Sequence, residues 1–398
     1  MTTDRAGRIH HGDSRRRGPC ATDSDQPHSG RSAPTPRGGA ITSAAPSGTV
    51  RTAPSPPTAL HICTWLYAES EVEESSYPQV PGRPSSEAFQ STYWRCVATF
   101  FASSYRHQPQ AKHVLFTNVE RLPSVSGVDL SAFLEQLGVD VIRLPLTHVT
   151  PRGHFHAWRN QFYVFDIVSY LARNTSQGDA ALVLDSDCVW IADAGPIGVA
   201  LARDGVLTCV ETFPVDWREG GLTRKDMSVL ASALLGRDVS DPLVYCGGEF
   251  LAATGTELGR LNAEIAITWR QLLARYAGGE QVFREEAQML SYIYHKLAYP
   301  LGNASPYVRR IWTGSFGAFN TATPHDLGLV VWHLPAEKRF GLRRLFTDVV
   351  DPTSRFWTVQ PGVEMRDYLG QILGVPRNRV TKQLRDLGHR ISDKLRRG

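Results

Sequence analysis

Short apolar runs alternate with segments of helical periodicity along the first half of the chain. Runs of apolar and β-branched residues predict strands at 59–65, 113–118, 139–144 and 180–184. Apolar positions three or four residues apart predict helices at 89–105, 130–137 and 158–171. Strands that alternate with helices in this way are typical of an α/β fold, a mostly parallel sheet flanked by helices. Ligands of such a sheet bind at the carboxyl ends of its strands.

The second half of the chain continues the pattern and ends in a basic helix. Further strands are predicted at 205–210, 242–246 and 327–332, and a long helix at 256–276. Within residues 376–398, one helical stripe carries Val380, Leu384, Leu387, Ile391 and Leu395. The segment holds eight Arg or Lys residues against two Asp, so its helix is expected to dock on its own domain or to lie on an anionic membrane. We therefore predict a main domain over 58–345 and a C-terminal extension over 346–398.

The N-terminal segment differs from the rest of the chain in composition. Residues 1–57 are rich in Pro, Gly, Ser, Thr and Arg and contain almost no large apolar side chains. Such a segment cannot bury enough surface to offset the entropy that is lost when a chain becomes ordered. We therefore predict that these residues form a disordered tail.

Composition places the chain among soluble globular proteins and argues against several classes of function. Its hydrophobic content is 42% and its charged content is 21%. A net charge of +4 provides no protein-wide field that would favour nucleic acid as a partner. The six cysteines show no Cys-x-x-Cys spacing, which argues against a zinc ribbon and a disulfide scaffold. Because no secretory signal or spanning segment is found, we expect a cytoplasmic protein. Peripheral membrane contact through the C-terminal helix is the alternative to docking of that helix on its own domain.

The clearest candidate chemistry lies at the end of the fourth predicted strand. The apolar run 180–184 is followed directly by Asp185-Ser186-Asp187, so a buried strand delivers two carboxylates at its carboxyl end. Hard cations such as Mg²⁺ and Mn²⁺ prefer oxygen ligands and are typically held by one or two carboxylates together with substrate phosphates. The alternative is a plain turn, because Asp and Ser are common in turns.

With its surroundings, this motif resembles the GT-A class of glycosyltransferases, in which Asp-x-Asp ends the nucleotide-binding half and binds metal and diphosphate. The resemblance covers roughly residues 59–345, where four further segments follow a similar order: Trp158-Arg159-Asn160-Gln161-Phe162-Tyr163, Tyr245-Cys246-Gly247-Gly248-Glu249-Phe250, Glu285-Glu286-Ala287-Gln288-Met289-Leu290 and Trp332-His333-Leu334-Pro335-Ala336-Glu337-Lys338. It implies a GT-A-like (Rossmann-like) fold and a hexosyltransferase-like, retaining enzyme. Such an enzyme moves a sugar from a UDP- or GDP-sugar donor to a hydroxyl acceptor.

The resemblance also implies a metal site and a set of donor contacts. The implied ligands of Mn²⁺ or Mg²⁺ are Asp185, Asp187 and His333. The implied donor contacts are Thr64, Arg159, Asp185 and Lys338, the last of which meets the leaving diphosphate. A diphosphate that leaves with developing negative charge needs a cation and basic groups aimed at it, which suits this set. His333 and Lys338 lie five residues apart, whereas the glycogenin pattern has six with a glycine between.

Three glutamates are candidates for the catalytic carboxylate. Glu286 is preferred because Leu290 lies one turn further on and would anchor that helix face in the core. A carboxylate facing the sugar acts as base for the acceptor hydroxyl or stabilises an oxocarbenium-like centre. In the alternative, Glu285 and Glu286 have no catalytic role and only stabilise the start of a helix, where the helix dipole favours negative charge. Glu249 competes with them, since its flanking glycines let a ligand approach the backbone closely.

Other functions share parts of this pattern. Haloacid-dehalogenase-type phosphatases carry an apolar strand followed by Asp-x-Asp-x-Thr/Val, which is similar to residues 185–189. In those enzymes the motif lies on the first strand, whereas three predicted strands precede it here. Sugar-phosphate nucleotidyltransferases open with a Gly-rich loop that the first predicted strand lacks. A further alternative is a non-catalytic relative that keeps the fold and binds a sugar or a partner.

Overall fold

The computed structural model of the 398-residue chain describes residues 56–73, 75–77, 79–155, 157–299, 301–314 and 319–395, with the side chains of the last four residues excepted. The predicted disordered tail lies outside these residues apart from its last two positions, and so does the side chain of Leu395. The strands are β1 (Leu60–Leu66), β2 (Lys112–Thr117), β3 (Ser124–Val125), β4 (Val128–Asp129), β5 (Val139–Arg143), β6 (Ala180–Leu184), β7 (Cys188–Trp190), β8 (Val206–Glu211), β9 (Tyr245–Thr254), β10 (Gly302–Asn303), β11 (Val308–Arg310) and β12 (Val331–His333). The helices are α1 (Glu87–His107), α2 (Leu130–Gln136), α3 (Tyr163–Asn174), α4 (Gly195–Asp204), α5 (Arg224–Leu235), α6 (Gly255–Ala277), α7 (Glu286–Lys296), α8 (Gly341–Val350), α9 (Arg355–Thr358), α10 (Val363–Leu373) and α11 (Val380–Leu395).

The predicted α/β fold with a mostly parallel sheet is confirmed. Seven strands form the central sheet in the order β10-β8-β9-β6-β1-β2-β5. The pairs β6-β1, β1-β2, β2-β5 and β10-β8 are parallel, and β9 runs antiparallel between β6 and β8. All five residues of β6 are buried, as expected for a strand covered on both faces.

Alternate residues of the central strands supply two hydrophobic cores. Leu182 packs in the core that contains Trp94 and Phe100 of α1. Its neighbour Val183 packs in the core that contains Phe165 of α3 and Leu261 of α6. Because successive side chains of a strand point to opposite faces, the two cores lie on the two faces of the sheet. Helices therefore cover the sheet on both sides.

A second, three-stranded sheet lies at the carboxyl end of β6. Its order is β11-β12-β7, and β7 begins after the three-residue turn that follows β6. In that turn the Cys188 N–H donates to the Asp185 carbonyl at 3.2 Å. Cys188 of β7 stands opposite His333 of β12, which stands opposite Arg310 of β11. The small sheet thus brings β11 and β12, which are distant in sequence, to the end of β6.

Several predicted elements begin or end at different places from those expected. The strand predicted at 327–332 comprises only Val331–His333, and a 3-10 turn at Pro324–Gly328 precedes it. The helix predicted from 158 begins at Tyr163, because Trp158 has a φ of 44°, a left-handed conformation that is incompatible with an α-helix. The strand predicted to end at 246 continues through two glycines to Thr254. Its pairing with β8 shifts register between Thr208 and Cys209, so these glycines lie at a β-bulge.

The C-terminal helices pack on the same compact unit as the sheet. The predicted boundary between residues 345 and 346 falls within α8, which packs against α1. Among the helices of the described residues, none combines the length and the apolar character that crossing a bilayer requires.

Candidate metal centre and cavity

The Asp185-Ser186-Asp187 run forms the turn between β6 and β7. A hydrogen bond of 3.0 Å from the Leu334 N–H to the Asp187 carbonyl ties this turn to the end of β12. Asp187 is 2% exposed, whereas the side chain of Asp185 keeps 36% of its surface exposed. The turn therefore presents one buried carboxylate and one that faces open space.

Asp185, Asp187 and His333 form a cluster that could hold a metal ion. His333 Nε2 lies 3.2 Å from Asp187 Oδ2 and 3.6 Å from Asp185 Oδ2. One ligand atom from each of the three residues lies within 4.8 Å of the other two. Two carboxylates and one imidazole suit Mn²⁺, which accepts nitrogen as well as oxygen, better than Mg²⁺, which favours oxygen alone. The donor set thus fits a divalent cation, as the sequence prediction of Mn²⁺ or Mg²⁺ requires.

Lys338 balances the buried charge of Asp187. Its Nζ lies 2.5 Å from Asp187 Oδ2, and it is 6% exposed. Burial alone would raise the pKa of Asp187, but Lys338 and His333 hold it below the usual range of an aspartate. Desolvation in the cavity and the neighbouring Asp187 raise the pKa of Asp185 to about 6. The two carboxylates of the motif therefore differ strongly in their affinity for protons.

A cavity of about 690 Å³ opens beside the cluster and has the size of a pocket for a small organic ligand. Aromatic side chains form much of its wall: Trp65, Tyr67, Tyr77, Phe89, Tyr93, Trp158, Tyr245 and Trp312. Its carboxylates are Glu69, Asp185, Asp187, Glu219, Glu249, Glu285 and Glu286. The cationic side chains in its wall are Arg310 and Lys338. The cavity therefore combines flat aromatic surfaces with a group of carboxylates whose negative charge a bound cation would offset.

Glu249 lies in this wall and is paired with a residue that the sequence analysis missed. The Arg310 guanidinium donates to Glu249 Oε2 at 2.6 Å, and the Glu249 side chain is 1% exposed. Burial alone would raise the pKa of Glu249, but Arg310 holds it below the usual range. Glu249 is therefore a buried, ionised carboxylate with one oxygen committed to a salt bridge. Arg310 reaches the cavity because β11 pairs with β12, and no pattern in the sequence identifies it as a site residue.

Glu285 and Glu286 lie at the start of α7. Glu285 occupies the N-cap position without a side-chain capping bond, and its Oε1 accepts a hydrogen bond of 2.6 Å from the Tyr245 hydroxyl. Burial raises the pKa of Glu285 to about 7. Burial and the neighbouring Glu285 raise the pKa of Glu286 well above its usual value. Tyr245 was recognised as part of a motif but had no predicted role.

Glu286 reaches the cavity because Gly248 gives it room. A Cβ at residue 248 would clash with the Glu286 carboxylate, so the bulge glycine and the acid form one arrangement. Within the described structure, Glu286 Oε2 is buried and has no hydrogen-bond partner. An unpartnered buried polar atom carries a cost of about 1–3 kcal/mol, which a bound ligand would relieve. This atom is therefore a candidate contact for a substrate hydroxyl.

Two residues predicted to contact a donor do not line the main cavity. Thr64 is fully buried within β1, and its hydroxyl donates to the Leu184 carbonyl at 2.8 Å. The end of the same strand, at Trp65 and Leu66, reaches the cavity instead. Arg159 lines a separate pocket of about 50 Å³, whereas its neighbour Asn160 lines both pockets.

A further wall of the cavity, which the sequence analysis did not identify, contains Glu69 and Tyr77 from the segment between β1 and α1. The buried Glu69 carboxylate accepts hydrogen bonds from the Ser75 hydroxyl and from the Ser75 N–H, the latter at 2.7 Å. The Tyr77 hydroxyl also donates to Glu69, at 2.8 Å. This network fixes Tyr77 as part of the aromatic wall.

Comparison of the sequence with protein-family models and with curated proteins finds no match.

Proposed function

We propose that this chain is a metal-dependent glycosyltransferase, which moves a sugar from a nucleoside-diphosphate sugar to a hydroxyl acceptor. The observation that carries the proposal is the convergence of Asp185, Asp187, His333 and Lys338 beside the large cavity. Three of these residues offer ligands to a cation, and the fourth brings a positive charge to the same place. That combination suits a diphosphate leaving group better than it suits an uncharged ligand.

Each part of the cavity supports a part of this reaction. The aromatic walls offer flat surfaces against which a nucleoside base and a sugar ring would pack. A bound Mn²⁺ or Mg²⁺ would act as a Lewis acid on the diphosphate oxygens. Lys338 would remain close enough to meet the same charge, as the resemblance to the GT-A class implies. The acidic side of the cavity, at Glu249 and Glu286, would then face the sugar and its acceptor.

Glu286 is the carboxylate that we assign to the acceptor hydroxyl. Glu249 already holds Arg310 in a buried salt bridge, whereas Glu286 Oε2 is without a partner in the described structure. A carboxyl group with a raised pKa is a stronger base than an ordinary carboxylate once it has lost its proton. These two features favour Glu286 over Glu249 and over Glu285, which accepts from Tyr245.

Glu286→Gln is expected to lower kcat about 100-fold while the donor affinity changes less than about threefold. The amide has the shape of a protonated carboxyl group, so ground-state contacts persist, but it cannot take up the proton of the acceptor hydroxyl. Single-turnover kinetics and donor titration would separate the two effects. Glu249→Gln is the comparison variant, and it should lower the melting temperature because it removes the anion from Arg310. If Glu249→Gln alone reproduced the selective loss of kcat, the assignment to Glu286 would be wrong.

The proposed function itself is tested by nucleotide binding and donor hydrolysis. We expect UDP or GDP to raise the melting temperature in the presence of Mn²⁺ and to have a much smaller effect after the ion is chelated. A screen of nucleotide sugars should then show slow, Mn²⁺-dependent hydrolysis of one donor, with the anomer of the released sugar read by NMR. Release of inorganic phosphate from sugar phosphates without nucleotide binding would favour a phosphatase. Binding without any turnover in the presence of candidate acceptors would favour a non-catalytic relative.

A further inference from the structure

The C-terminal helix α11 docks on the domain through its polar side. Lys382 is 2% exposed, and its Nζ lies 2.8 Å from Glu337 Oε1 and 2.8 Å from Asp386 Oδ2. Asp386 is also 2% exposed and accepts a bond of 2.8 Å from Arg344 of α8. Glu337 accepts further hydrogen bonds from the Thr313 hydroxyl and the Gly341 N–H. A buried ionic cluster, not an apolar seam, therefore fixes the helix to the domain.

The apolar side of the same helix faces away from the domain. The exposed fractions are 68% for Val380, 56% for Leu384, 39% for Leu387 and 53% for Ile391. Spacings of four, three and four residues place these side chains on one stripe, which we call the α11 stripe. Lys382 lies about half a turn away from the stripe. Docking on the parent domain, one of the two outcomes expected from the sequence, therefore takes place, but no part of the chain that the structure describes covers the apolar face.

Positive charge surrounds the α11 stripe. Arg379, Arg385 and Arg390 are exposed on the helix or just before it. Of the eight Arg or Lys residues and two Asp residues within 376–398, Lys382 and Asp386 are the buried pair described above. Outside that pair, the sequence of the segment holds seven basic residues and one acidic residue. An apolar face bordered by basic side chains is the pattern of a helix that lies in the interface of an anionic membrane.

We propose that the α11 stripe seats the protein on the surface of an anionic lipid bilayer. The four apolar side chains would enter the boundary between head groups and acyl chains, and the arginines would meet lipid phosphates. A second copy of the chain fits the surface less well, because two such helices would bring like charges together. Four partly exposed side chains also offer far less than the ~800 Å² per partner that stable interfaces bury. This inference does not depend on the proposed enzymatic function.

Co-sedimentation of the full-length chain with lipid vesicles tests the proposal. We expect binding to vesicles that contain phosphatidylglycerol, much weaker binding to pure phosphatidylcholine, and a loss of binding as the salt concentration rises. Leu384→Glu combined with Leu387→Glu should weaken partitioning by about tenfold or more. Val229→Glu is the matched control, because Val229 is 65% exposed on α5, outside the stripe, and should leave binding unchanged. Arg379→Gln with Arg385→Gln should reduce binding to the anionic vesicles alone.

Each contrary result would overturn the assignment of the stripe. Undiminished vesicle binding by the Leu384→Glu, Leu387→Glu protein would place the contact elsewhere, for example in the arginines of the N-terminal segment. Equal binding to neutral and anionic vesicles would remove the role of the basic residues. A dimer that this variant dissociates, with no vesicle binding by the unchanged chain, would identify a second copy as the occupant. Unfolding midpoints of all variants in urea confirm that the comparison is made between folded proteins.

Discussion

Asp187→Ala is expected to abolish the Mn²⁺ dependence of UDP and GDP binding and to lower the free energy of unfolding by about 3–5 kcal/mol. The first effect follows because Asp187 is the buried carboxylate of the cluster, 3.2 Å from His333 Nε2. The second follows because the substitution leaves the buried ammonium of Lys338 without the carboxylate that lies 2.5 Å from it. Calorimetric titration of each nucleotide with and without Mn²⁺ measures the first effect, and urea unfolding measures the second.

A charge-balanced double variant separates the two effects. Asp187→Asn with Lys338→Met removes both members of the buried pair, so most of the lost stability should return. Metal-linked binding should not return, because the carboxylate ligand is still absent. Lys338→Met alone should keep a dependence on Mn²⁺ while nucleotide binding becomes weaker, and His333→Ala should be intermediate, since water can replace an imidazole ligand. Undiminished metal-linked binding in a folded Asp187→Ala protein would refute the metal site and remove the main support for the transferase proposal.

Lys382→Met is expected to lower the free energy of unfolding by about 3–5 kcal/mol, although Lys382 lies far along the chain from the metal cluster. Removal of this ammonium leaves Glu337 without its neighbouring cation. Burial raises the pKa of Glu337, and the charge of Lys382 opposes that rise. Methionine preserves the length and the apolar stem of the side chain, so the loss measures charge and not volume. Urea unfolding monitored by tryptophan fluorescence gives the value.

A lysine elsewhere in the chain offers a matched control. Lys225 also lies 2.8 Å from a carboxylate, that of Asp216, but their side chains are 63% and 80% exposed. Lys225→Met should therefore cost less than about 1 kcal/mol. Equal costs for the two substitutions would show that the buried cluster around Lys382 contributes no more to stability than a solvated ion pair.

Elements with strong local patterns could be predicted from the sequence. The bounds of β6 were predicted without error, because both of its faces are buried and its five residues form one apolar run. Short elements could not be predicted, since three residues such as those of β7 or β11 show no measurable periodicity. Helix α5 was missed although Thr223 and Asp226 form a capping box at its start, a signal that is visible in the sequence.

Residues that act through tertiary partners were harder to identify. The motif at 185–187 was found because a strand end followed by two carboxylates is a local signal. Arg310 was missed because its partner Glu249 is brought to it only by the small sheet. The order of motifs indicates which strand approaches a ligand but not which of its residues face the cavity. Thr64 was therefore named, whereas Trp65 and Leu66 of the same strand line the cavity.

The orientation of α11 shows the same limit most clearly. Its pattern favours an apolar face turned toward the core, yet the structure buries Lys382 and Asp386 instead. The reason lies in Glu337 and Arg344, which provide buried opposite charges at that place. A sequence pattern records which side of a helix is apolar, but only the fold determines which side meets the domain.

The pairing of Asp187 with Lys338 is expected to let the chain fold without a bound metal ion. In small folds that are built around an ion, the unneutralised ligands keep the chain unfolded until the ion arrives. Here an ammonium 2.5 Å away already balances the buried carboxylate, and the strands around it hold the fold. Newly synthesised chains are therefore expected to reach the folded state before any ion is bound. A divalent ion that binds the cluster would then enter a site whose surrounding strands are already in place.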